Sequence, residues 1–511
     1  MQPTPQVPTF AESMPFRQSR MRASRRAGQN NWEERLEPFP EYEDHDALGL
    51  AELVRKKEIT ETELLDAAIA RTEARNPAVN AIVNKLYDYG REAIAAGLPD
   101  GPFTGVPYLL KDIGGALGGV TQTRGSRFFA DVVPPEDSVI VKRGKQSGLV
   151  IFGKTNTPEF GLSLTCEPQL FGPSHNPWDL ERTPGGSSGG SSAAVAARIV
   201  PMASGGDGFG SIRAPAACCG LVGLKPSRAR NTQDPYSGEG NAGQTTEHAL
   251  TRTVRDSAAL LDATAGAGSG DPYVAPPPAG PFLSEVGADP GKLRIAMTSR
   301  APNGAPVASE ILDVFKDTAK ALADLGHDIE EADPDIDRES VIPIFRTVSA
   351  GNVAATLRGH PDGKEPGPED VERVTAAAAK MGEEMSGGDY VRAIQAQHSL
   401  GRQMAAFHGN YDVLLTPGLG MLPPKLGWMD MMLDDADEYW DRVFTFSPFT
   451  VWFNITGQPG ITLPTGVSET GLPISVQLVA PYGDEATLLR LAAQLEVARP
   501  WADRRPAMAG D

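Results

Sequence analysis

The chain has 511 residues and a net charge of −19, with 47 Lys and Arg against 66 Asp and Glu, and 40% of its residues are apolar. That apolar fraction is enough for a sizeable core and excludes wholesale disorder, and the acidic charge argues against nucleic-acid and anionic-membrane partners. No apolar run approaches the roughly 20 residues that a membrane-spanning helix needs. The sequence predicts a cytoplasmic protein without a nucleic-acid or membrane partner.

The first 40 residues are rich in Pro, Arg and Ser and lack the apolar segment of a signal peptide. They predict an N-terminal arm, residues 1–40, that is flexible or draped on the surface of a main domain over residues 41–505. Three cysteines, Cys166, Cys218 and Cys219, are too few for a disulfide framework and indicate buried thiols in a reducing compartment.

Helices are predicted first along the main domain. One begins near Asp46, and a second begins at Thr60, which forms a capping-box pattern with Glu63. The second helix should end near Pro77, because proline cannot continue a helix. A third helical pattern covers residues 80–96.

A short apolar run, Val106–Leu110, predicts a buried strand, and Lys111 follows it directly. Such a lysine is either a solvated strand end or a functional group facing a crevice at the strand ends. Residues 148–155 match the phosphate-loop pattern G-x-x-x-x-G-K-[ST]. We reject that match because Leu149–Phe152 has a buried-strand sequence, whereas a phosphate loop must follow its strand.

Apolar runs alternate with helical patterns along the rest of the chain, which predicts an α/β protein with a largely buried sheet. Residues 191–199, 253–265 and 308–325 are predicted helices. Residues 335–440 are mostly helical in pattern, and we expect them to form a cover that shapes the substrate site.

Two serine-containing glycine clusters, Gly185–Gly190 and Gly205–Ser211, flank the predicted Ala-rich helix of residues 191–199. Glycine allows sharp turns and leaves no side chain between the backbone N–H groups and a ligand. We predict that the second cluster carries a nucleophile, Ser211, and that the first carries its proton relay, Ser187.

Other site chemistries fit less well. The seven histidines are scattered without the spacing of metal ligands. Gly185–Gly189 matches the G-x-S-x-G nucleophile elbow, but a turn rather than a strand precedes it, and the last histidine is His408. A binding protein that uses these glycine loops only for packing is the remaining alternative.

A serine hydroxyl becomes a good nucleophile only when a base takes its proton. A lysine serves as that base if burial keeps it neutral. Lys111 at a strand end meets this requirement when it faces the glycine-rich loop. Ser187 would pass the proton from Ser211 to Lys111, and the reverse transfer would protonate the departing amine.

The residues that carry this chemistry lie in motifs that closely resemble the amidase signature family: GGSSGGSSAAVAARIVPMASGGDGFGSIRAPAACCGLVGLKPS, GVPYLLKD, FGKTNTPEFG, NPWD, DVLLTP, NITGQPGITLPTG and LPISVQLVAP. The resemblance covers roughly residues 45–502. Within the family, GPFTGVPYLLKD, TCEP and AAQLEVARPWADRRP are most similar to bacterial hydrolases of aminohexanoate cyclic dimers. The resemblance implies a single large domain whose central mixed, twisted β-sheet is covered on both faces by α-helices.

The family's catalytic residues fall on three positions of this sequence. Its lysine corresponds to Lys111, its bridging serine, held in a cis peptide, to Ser187, and its nucleophile to Ser211. Asp207 and Arg213 match the acid and base that brace the nucleophile loop.

Ser188 is expected either to hydrogen-bond behind the catalytic serines or, like Ser191, to cap a helix. The oxyanion of the tetrahedral intermediate would be bound by the N–H groups of four residues in the nucleophile loop, Gly208, Phe209, Gly210 and Ser211. The family commonly has glycine at the position of Phe209. A bulky residue disfavours positive φ, so we expect either a negative φ or strain there, and a ring that shapes the acyl pocket.

We therefore predict a serine amidohydrolase that cleaves non-peptide C–N bonds in linear or cyclic amides, anilides or carbamates, and also esters, without a cofactor or metal. The alternatives are a subunit of a tRNA-dependent amidotransferase and a non-catalytic binding protein on the same fold. The sequence leaves a homodimer open.

Overall fold

A mixed β-sheet runs through the centre of the protein, whose computed structural model describes residues 39–507. Its 11 strands in this part of the chain are β1 (Ile82–Lys85), β2 (Pro107–Lys111), β3 (Val150–Thr155), β4 (Met202–Asp207), β5 (Val222–Lys225), β6 (Thr246–Thr251), β7 (Arg294–Met297), β8 (Asp328–Glu331), β9 (Val413–Pro417), β10 (Gly460–Val467) and β11 (Pro473–Val479). Their spatial order is β1-β3-β2-β4-β6-β5-β10-β11-β9-β7-β8.

Fourteen α-helices flank the sheet within the same residues. They are α1 (Ala47–Arg55), α2 (Glu61–Val79), α3 (Tyr87–Ala96), α4 (Val139–Gln146), α5 (Gly189–Ala196), α6 (Arg213–Cys219), α7 (Val254–Thr264), α8 (Ser309–Asp324), α9 (Val341–Arg358), α10 (Arg373–Glu384), α11 (Gly387–Phe407), α12 (Ala436–Phe446), α13 (Val451–Thr456) and α14 (Glu485–Ala498). No helix among the described residues has the length and apolar character to cross a membrane.

Strand β11 shows why both faces of the sheet are covered. Successive side chains of a strand point to opposite faces. Val476 and Leu478 pack in a buried cluster with Phe315 of α8 and Leu488 of α14. Gln477, between them, reaches the other face and hydrogen-bonds a residue of α6. The predicted α/β fold with helices on both faces of a mixed sheet is confirmed.

The second helix starts as predicted but ends later. The capping box of Thr60 and Glu63 is present, which confirms that start. The end predicted near Pro77 is wrong: α2 continues through Pro77 to Val79, because in the last turn the missing N–H costs a single hydrogen bond. Asn80 then ends the helix in the left-handed conformation, with φ 45°.

The helical pattern over residues 80–96 is also corrected. Its first part, Ile82–Lys85, is strand β1, and α3 begins only at Tyr87. The β-branched Ile82 and Val83 favour a strand, and β1 pairs antiparallel with β3. Tertiary pairing therefore decides the conformation where the local pattern favoured a helix. The rejected phosphate-loop match does lie on a strand, β3.

The sheet order brings the predicted site residues to one edge. β2 runs parallel to β4 and pairs with it, so the carboxyl ends of the two strands lie side by side. Lys111 is the last residue of β2, and Ser211 follows the end of β4 by four residues. β6 pairs antiparallel with β4 on its other side. The predicted arm, residues 1–40, lies outside the described residues except for its last two.

Candidate active site

Lys111 is buried at the end of β2, with 2% of its surface exposed. Its Nζ donates to Ser187 Oγ at 2.7 Å and to the Gly206 carbonyl at 3.3 Å. Its backbone N–H donates to Ser204 Oγ at 2.7 Å. Burial lowers the pKa of Lys111 to about 8, because a buried ammonium loses its hydration. The structure thus brings together two of the three predicted catalytic side chains.

Ser187 lies in a turn whose two preceding residues, Gly185 and Gly186, pack so closely against neighbouring segments that no side chain fits there. The Gly186–Ser187 peptide is cis, as the family resemblance implies. A Cβ atom on Gly186 would lie 2.1 Å from the Thr165 carbonyl oxygen, and one on Gly185 would lie 2.5 Å from Pro215 Cα. The first glycine cluster therefore allows the chain to press against two neighbouring segments and direct Ser187 towards Lys111.

Ser211 stands in the loop that joins β4 to α6, and 2% of its surface is exposed. Its carbonyl accepts a hydrogen bond from the Ser188 N–H at 3.2 Å, which joins the two serine loops. Its Oγ is buried and makes no hydrogen bond within the described part of the chain. Buried polar atoms are rarely left unpaired, so this hydroxyl needs a functional explanation.

Asp207 and Arg213 form a buried ion pair that holds the Ser211 loop. Arg213 Nε donates to Asp207 Oδ2 at 2.9 Å, and Nη2 donates to Oδ1 at 3.0 Å. Asp207 also accepts from the N–H groups of Gly210 at 2.7 Å and Ile212 at 3.2 Å. Although burial opposes it, the charge and hydrogen bonds of Arg213 hold the pKa of Asp207 well below its usual range.

Two further side chains complete this brace, and neither was singled out from the sequence. Arg213 Nη2 donates to Asn454 Oδ1 at 2.6 Å, and Nη1 donates to Gln477 Oε1 at 2.7 Å. The Asn454 amide in turn donates to Asp207 Oδ1 at 2.8 Å. A polar residue inside an apolar strand, such as Gln477 in PISVQLV, is the signal that indicates a buried partner.

The backbone N–H groups of the Ser211 loop are of two kinds: some donate to a residue of the protein, and the others have no acceptor among the described residues. The Gly210 N–H already donates to Asp207, which conflicts with its predicted place among the oxyanion donors. The N–H groups of Gly208, Phe209 and Ser211 make no hydrogen bond to any of residues 39–507. These three remain as donors for a ligand.

Phe209 avoids the strain that its bulk suggested. It is not among the residues with positive φ; Gly210, the next residue, takes φ 134° instead. Its ring is 4% exposed and contacts Phe345 of α9, with 4.8 Å between ring centroids, and Trp440 of α12 at 6.1 Å. The predicted cover, residues 335–440, therefore contributes two aromatic rings next to the nucleophile loop.

The predicted capping role of Ser188 is not found. It precedes α5 but makes no side-chain capping bond, and its Oγ lies 3.4 Å from the Gly206 carbonyl. Ser191 Oγ likewise donates to the Ser204 carbonyl at 2.7 Å, so it ties α5 to β4. Both hydroxyls thus bond to backbone carbonyls of β4.

Glu247 on β6 is a partly buried acid near Lys111 that the sequence did not indicate. Burial raises the pKa of Glu247 to about 8, and the nearby charge of Lys111 opposes that rise. Glu247 lies in no recognised motif, and a single acid in a strand pattern predicts a solvent-exposed side chain. Its proximity to Lys111 arises from strand pairing alone.

The chain is similar to characterised hydrolases along nearly its whole length. The Amidase family model matches residues 63–489. The chain is 38% identical over 481 residues to the 6-aminohexanoate-cyclic-dimer hydrolase of Paenarthrobacter ureafaciens, over 90% of this chain and 96% of that protein.

Two solved structures extend this similarity. A 6-aminohexanoate cyclic dimer hydrolase complexed with substrate superposes with a TM-score of 0.86 at 36% identity, over 91% of this chain and 99% of that one. A bacterial aryl acylamidase of the amidase signature family superposes with a TM-score of 0.83 at 26% identity, over 91% and 99%. The predicted resemblance is confirmed.

Proposed function

The chain belongs to the amidase signature family, and the relatives described above are hydrolases of C–N bonds; we therefore propose that it hydrolyses small-molecule amides through an acyl-enzyme on Ser211. The observation that carries the proposal is the buried, 2.7 Å hydrogen bond from Lys111 Nζ to Ser187 Oγ. A buried amine whose pKa is lowered to about 8 is neutral often enough to act as a base near neutral pH.

The relay moves one proton in each half of the reaction. As Ser211 Oγ bonds to the substrate carbonyl carbon, its proton passes to Ser187, and the proton of Ser187 passes to Lys111. The reverse transfer delivers the proton to the nitrogen of the leaving amine, and the C–N bond breaks. Water then attacks the acyl-enzyme by the same relay and releases the acid.

The oxyanion is stabilised in this proposal by the free N–H groups of Gly208, Phe209 and Ser211. Such donors act strongly because they are already oriented before charge develops, and losing one typically costs about 10²–10³ in rate. We omit the Gly210 N–H, since Asp207 occupies it. The brace of Asp207 and Arg213 keeps the loop in the orientation that these donors need.

For substrates, we propose linear and cyclic amides with an apolar acyl chain or ring. The support is the aromatic cluster of Phe209, Phe345 and Trp440 beside the nucleophile loop, which favours apolar groups. Relatives named for a cyclic amide dimer and for aryl amides agree with that choice. Carbamates and esters present the same reacting carbonyl and should be cleaved as well.

The hydrolase assignment holds over both alternatives, the amidotransferase subunit and the non-catalytic binding protein. The homodimer and the cytoplasmic location remain predictions; three free, buried thiols support a reducing compartment.

A fluorophosphonate probe tests the proposal directly, because it labels only activated serines. We expect labelling of the wild type at Ser211, none in Ser211→Ala, and hydrolysis within a panel of cyclic amides, aryl amides and carbamates. A folded wild type that takes up no label and cleaves none of the panel contradicts the proposal.

A further inference from the structure

Glu247 lies opposite Gly206 in the register of β4 and β6. Its carboxylate fills the space that two glycines leave free: a Cβ on Gly206 would lie 2.6 Å from Oε1, and a Cβ on Gly114 would lie 2.6 Å from Oε2. The same Gly206 accepts a hydrogen bond from Lys111 Nζ through its carbonyl. One glycine residue therefore separates the Glu247 carboxylate from the Lys111 amine.

The setting of Glu247 is unfavourable for a carboxylate that serves only the fold. Its side chain lines a cavity of about 30 Å³ whose other walls are mostly apolar, among them Leu110, Ile140 and Leu260. Within residues 39–507 its carboxylate makes no hydrogen bond and has no cation within 4.0 Å. An ionisable group that is largely withdrawn from water and has no partner is unfavourable for a fold, which favours a role in the chemistry.

The charge of Glu247 acts on Lys111. Burial lowers the pKa of Lys111, whereas the nearby negative charges of Glu247 and Asp207, with the Cys166 thiol, oppose that effect. Asp207 also faces Glu247. Tyr108 lines the same cavity, and burial first and the charge of Glu247 second raise its pKa. Arg213 is paired with Asp207 and compensates its charge. Glu247 is therefore the acid near Lys111 that has no cationic partner of its own.

We propose that Glu247 is a positioning residue for catalysis, whose carboxylate stabilises the ammonium that Lys111 becomes when it takes the proton of Ser187. This inference rests on the proposed function. In the attack step the proton of Ser211 moves to Ser187, the proton of Ser187 moves to Lys111, and the carbonyl electron pair moves to the oxyanion. The form that reacts has Lys111 neutral and Glu247 ionised, which is the state of both groups above their pKa values of about 8. Glu247 keeps its charge through the step, and that charge makes the amine a sufficiently strong base.

The test is the pH dependence of kcat/KM for an amide substrate in Glu247→Gln, which keeps the shape and removes the charge. The pKa of the acid limb should fall by about one pH unit, since a neighbouring opposite charge typically shifts a pKa by one to three units. The plateau at high pH should fall by about three- to tenfold, because a weaker base transfers the proton less readily. Unchanged acid limb and plateau would overturn the proposal.

Glu496→Gln is the matched control. Burial also raises the pKa of Glu496, to about 7, but its carboxylate accepts from the Val254 N–H on α7, and it is not among the groups that act on Lys111. Its acid limb should match that of the wild type. A shift of equal size in this control would show that any buried carboxylate has the effect, and would also overturn the proposal.

Gly206→Ala provides a second variant should Glu247→Gln fail to fold. The three atoms nearest to the new Cβ all belong to the end of the Glu247 side chain, so we expect the carboxylate to move and the strand to be kept. We expect this variant to shift the acid limb by at least about 0.5 pH unit in the wild-type background, where the displaced group carries charge. An unshifted limb in Gly206→Ala alone would overturn the proposal. Where Glu247→Gln folds, the same change in that background should leave the limb unshifted.

Fluorophosphonate labelling separates this inference from the proposed function. If Ser211 is labelled and amides are cleaved in all variants but the acid limb never moves, the proposed function stands and the role of Glu247 is wrong. If wild type is neither labelled nor active, the proposed function fails first.

Discussion

The hydroxyl of Thr450 donates a 2.7 Å hydrogen bond to the carbonyl of Phe209, two positions before Ser211. A Cβ on Gly210 would lie 2.4 Å from the same hydroxyl oxygen. The residue before α13 thus holds the nucleophile loop in a conformation that needs glycine at position 210. The orientation of the proposed oxyanion donors therefore depends on a segment about 240 residues later in the chain.

Thr450→Val should weaken both stability and catalysis. It leaves the buried Phe209 carbonyl unpaired, which costs about 1–3 kcal/mol in the free energy of unfolding. We expect kcat/KM to fall by about tenfold, less than the loss of an oxyanion donor itself. Thr462→Val is the control, because the buried Thr462 hydroxyl makes no hydrogen bond within the described residues. Equal losses in the two variants would contradict the role of Thr450.

Lys111→Met should abolish catalysis and preserve the fold. Methionine fills the space without a buried amine, so thermal stability should stay or rise, whereas kcat/KM for amides should fall by about 10²–10⁴. Lys154→Met is the control with the opposite expected effect on stability, since the buried Lys154 is paired with Asp112 at 2.9 Å. That change strands a buried carboxylate and should destabilise by about 3–5 kcal/mol. Near-normal amide turnover in a folded Lys111→Met protein rules the relay out.

The wild-type pH profile follows from the state of Lys111. Its pKa is lowered to about 8, and only the neutral amine accepts a proton. Activity should therefore rise about tenfold per pH unit below that value and level off above it. Measurement of kcat/KM between pH 5 and 10 with a neutral amide checks this. Activity that stays level from pH 5 to pH 8 would exclude a lysine base.

Asp207→Asn should destabilise the protein strongly, because it leaves the buried guanidinium of Arg213 without its counter-charge, at a cost of about 3–5 kcal/mol. The pKa of Asp207 is depressed in the folded state. Its contribution is thus fully present above the unfolded-state pKa of about 3.9 and is lost as the pH falls below it. Urea unfolding from pH 7 to pH 3 should show a smaller loss of stability in Asp207→Asn than in the wild type.

Phe209→Ala should alter specificity more than chemistry. The backbone N–H remains, so kcat/KM for a small amide such as acetamide should stay within about tenfold of the wild type. Loss of the buried ring should cost about 3–5 kcal/mol in stability and open room beside the acyl group. Larger acyl groups should gain relative to acetamide, and Phe345→Ala should shift the preference the same way. An unchanged preference in both variants would remove these rings from the acyl pocket.

Local sequence patterns correctly predicted those features that interactions between neighbouring residues determine. The capping box at Thr60 and the strand before Lys111 are examples. The two glycine clusters indicated Ser187 and Ser211, and the resemblance supported both, because its motifs are long and ordered. The brace by Gln477 and the charge of Glu247 stayed hidden, since both depend on pairings between segments distant in the chain.

Helix α6 and strand β6 were missed for a related reason. The sequence RAPAACC of α6 is short and contains Pro215, which reads as a break although it stands in the first turn. The start of β6 mixes polar and apolar residues without a clear alternation, and its partners β4 and β5 decide its conformation. Because β6 was not predicted, the position of Glu247 beside β4 could not be predicted either.

The bond from Arg213 to Gln477 also sets an order of events during synthesis. Gln477 is 264 residues after Arg213, so a ribosome must finish most of the chain before the guanidinium has its full set of acceptors. Until then Arg213 lacks Gln477, and before position 454 is made it lacks Asn454 as well, so the loop that carries Ser211 has only part of its support. Reactivity of Ser211 therefore reports on completed folding, and a nascent or truncated chain that ends before β11 should stay silent towards the serine probe.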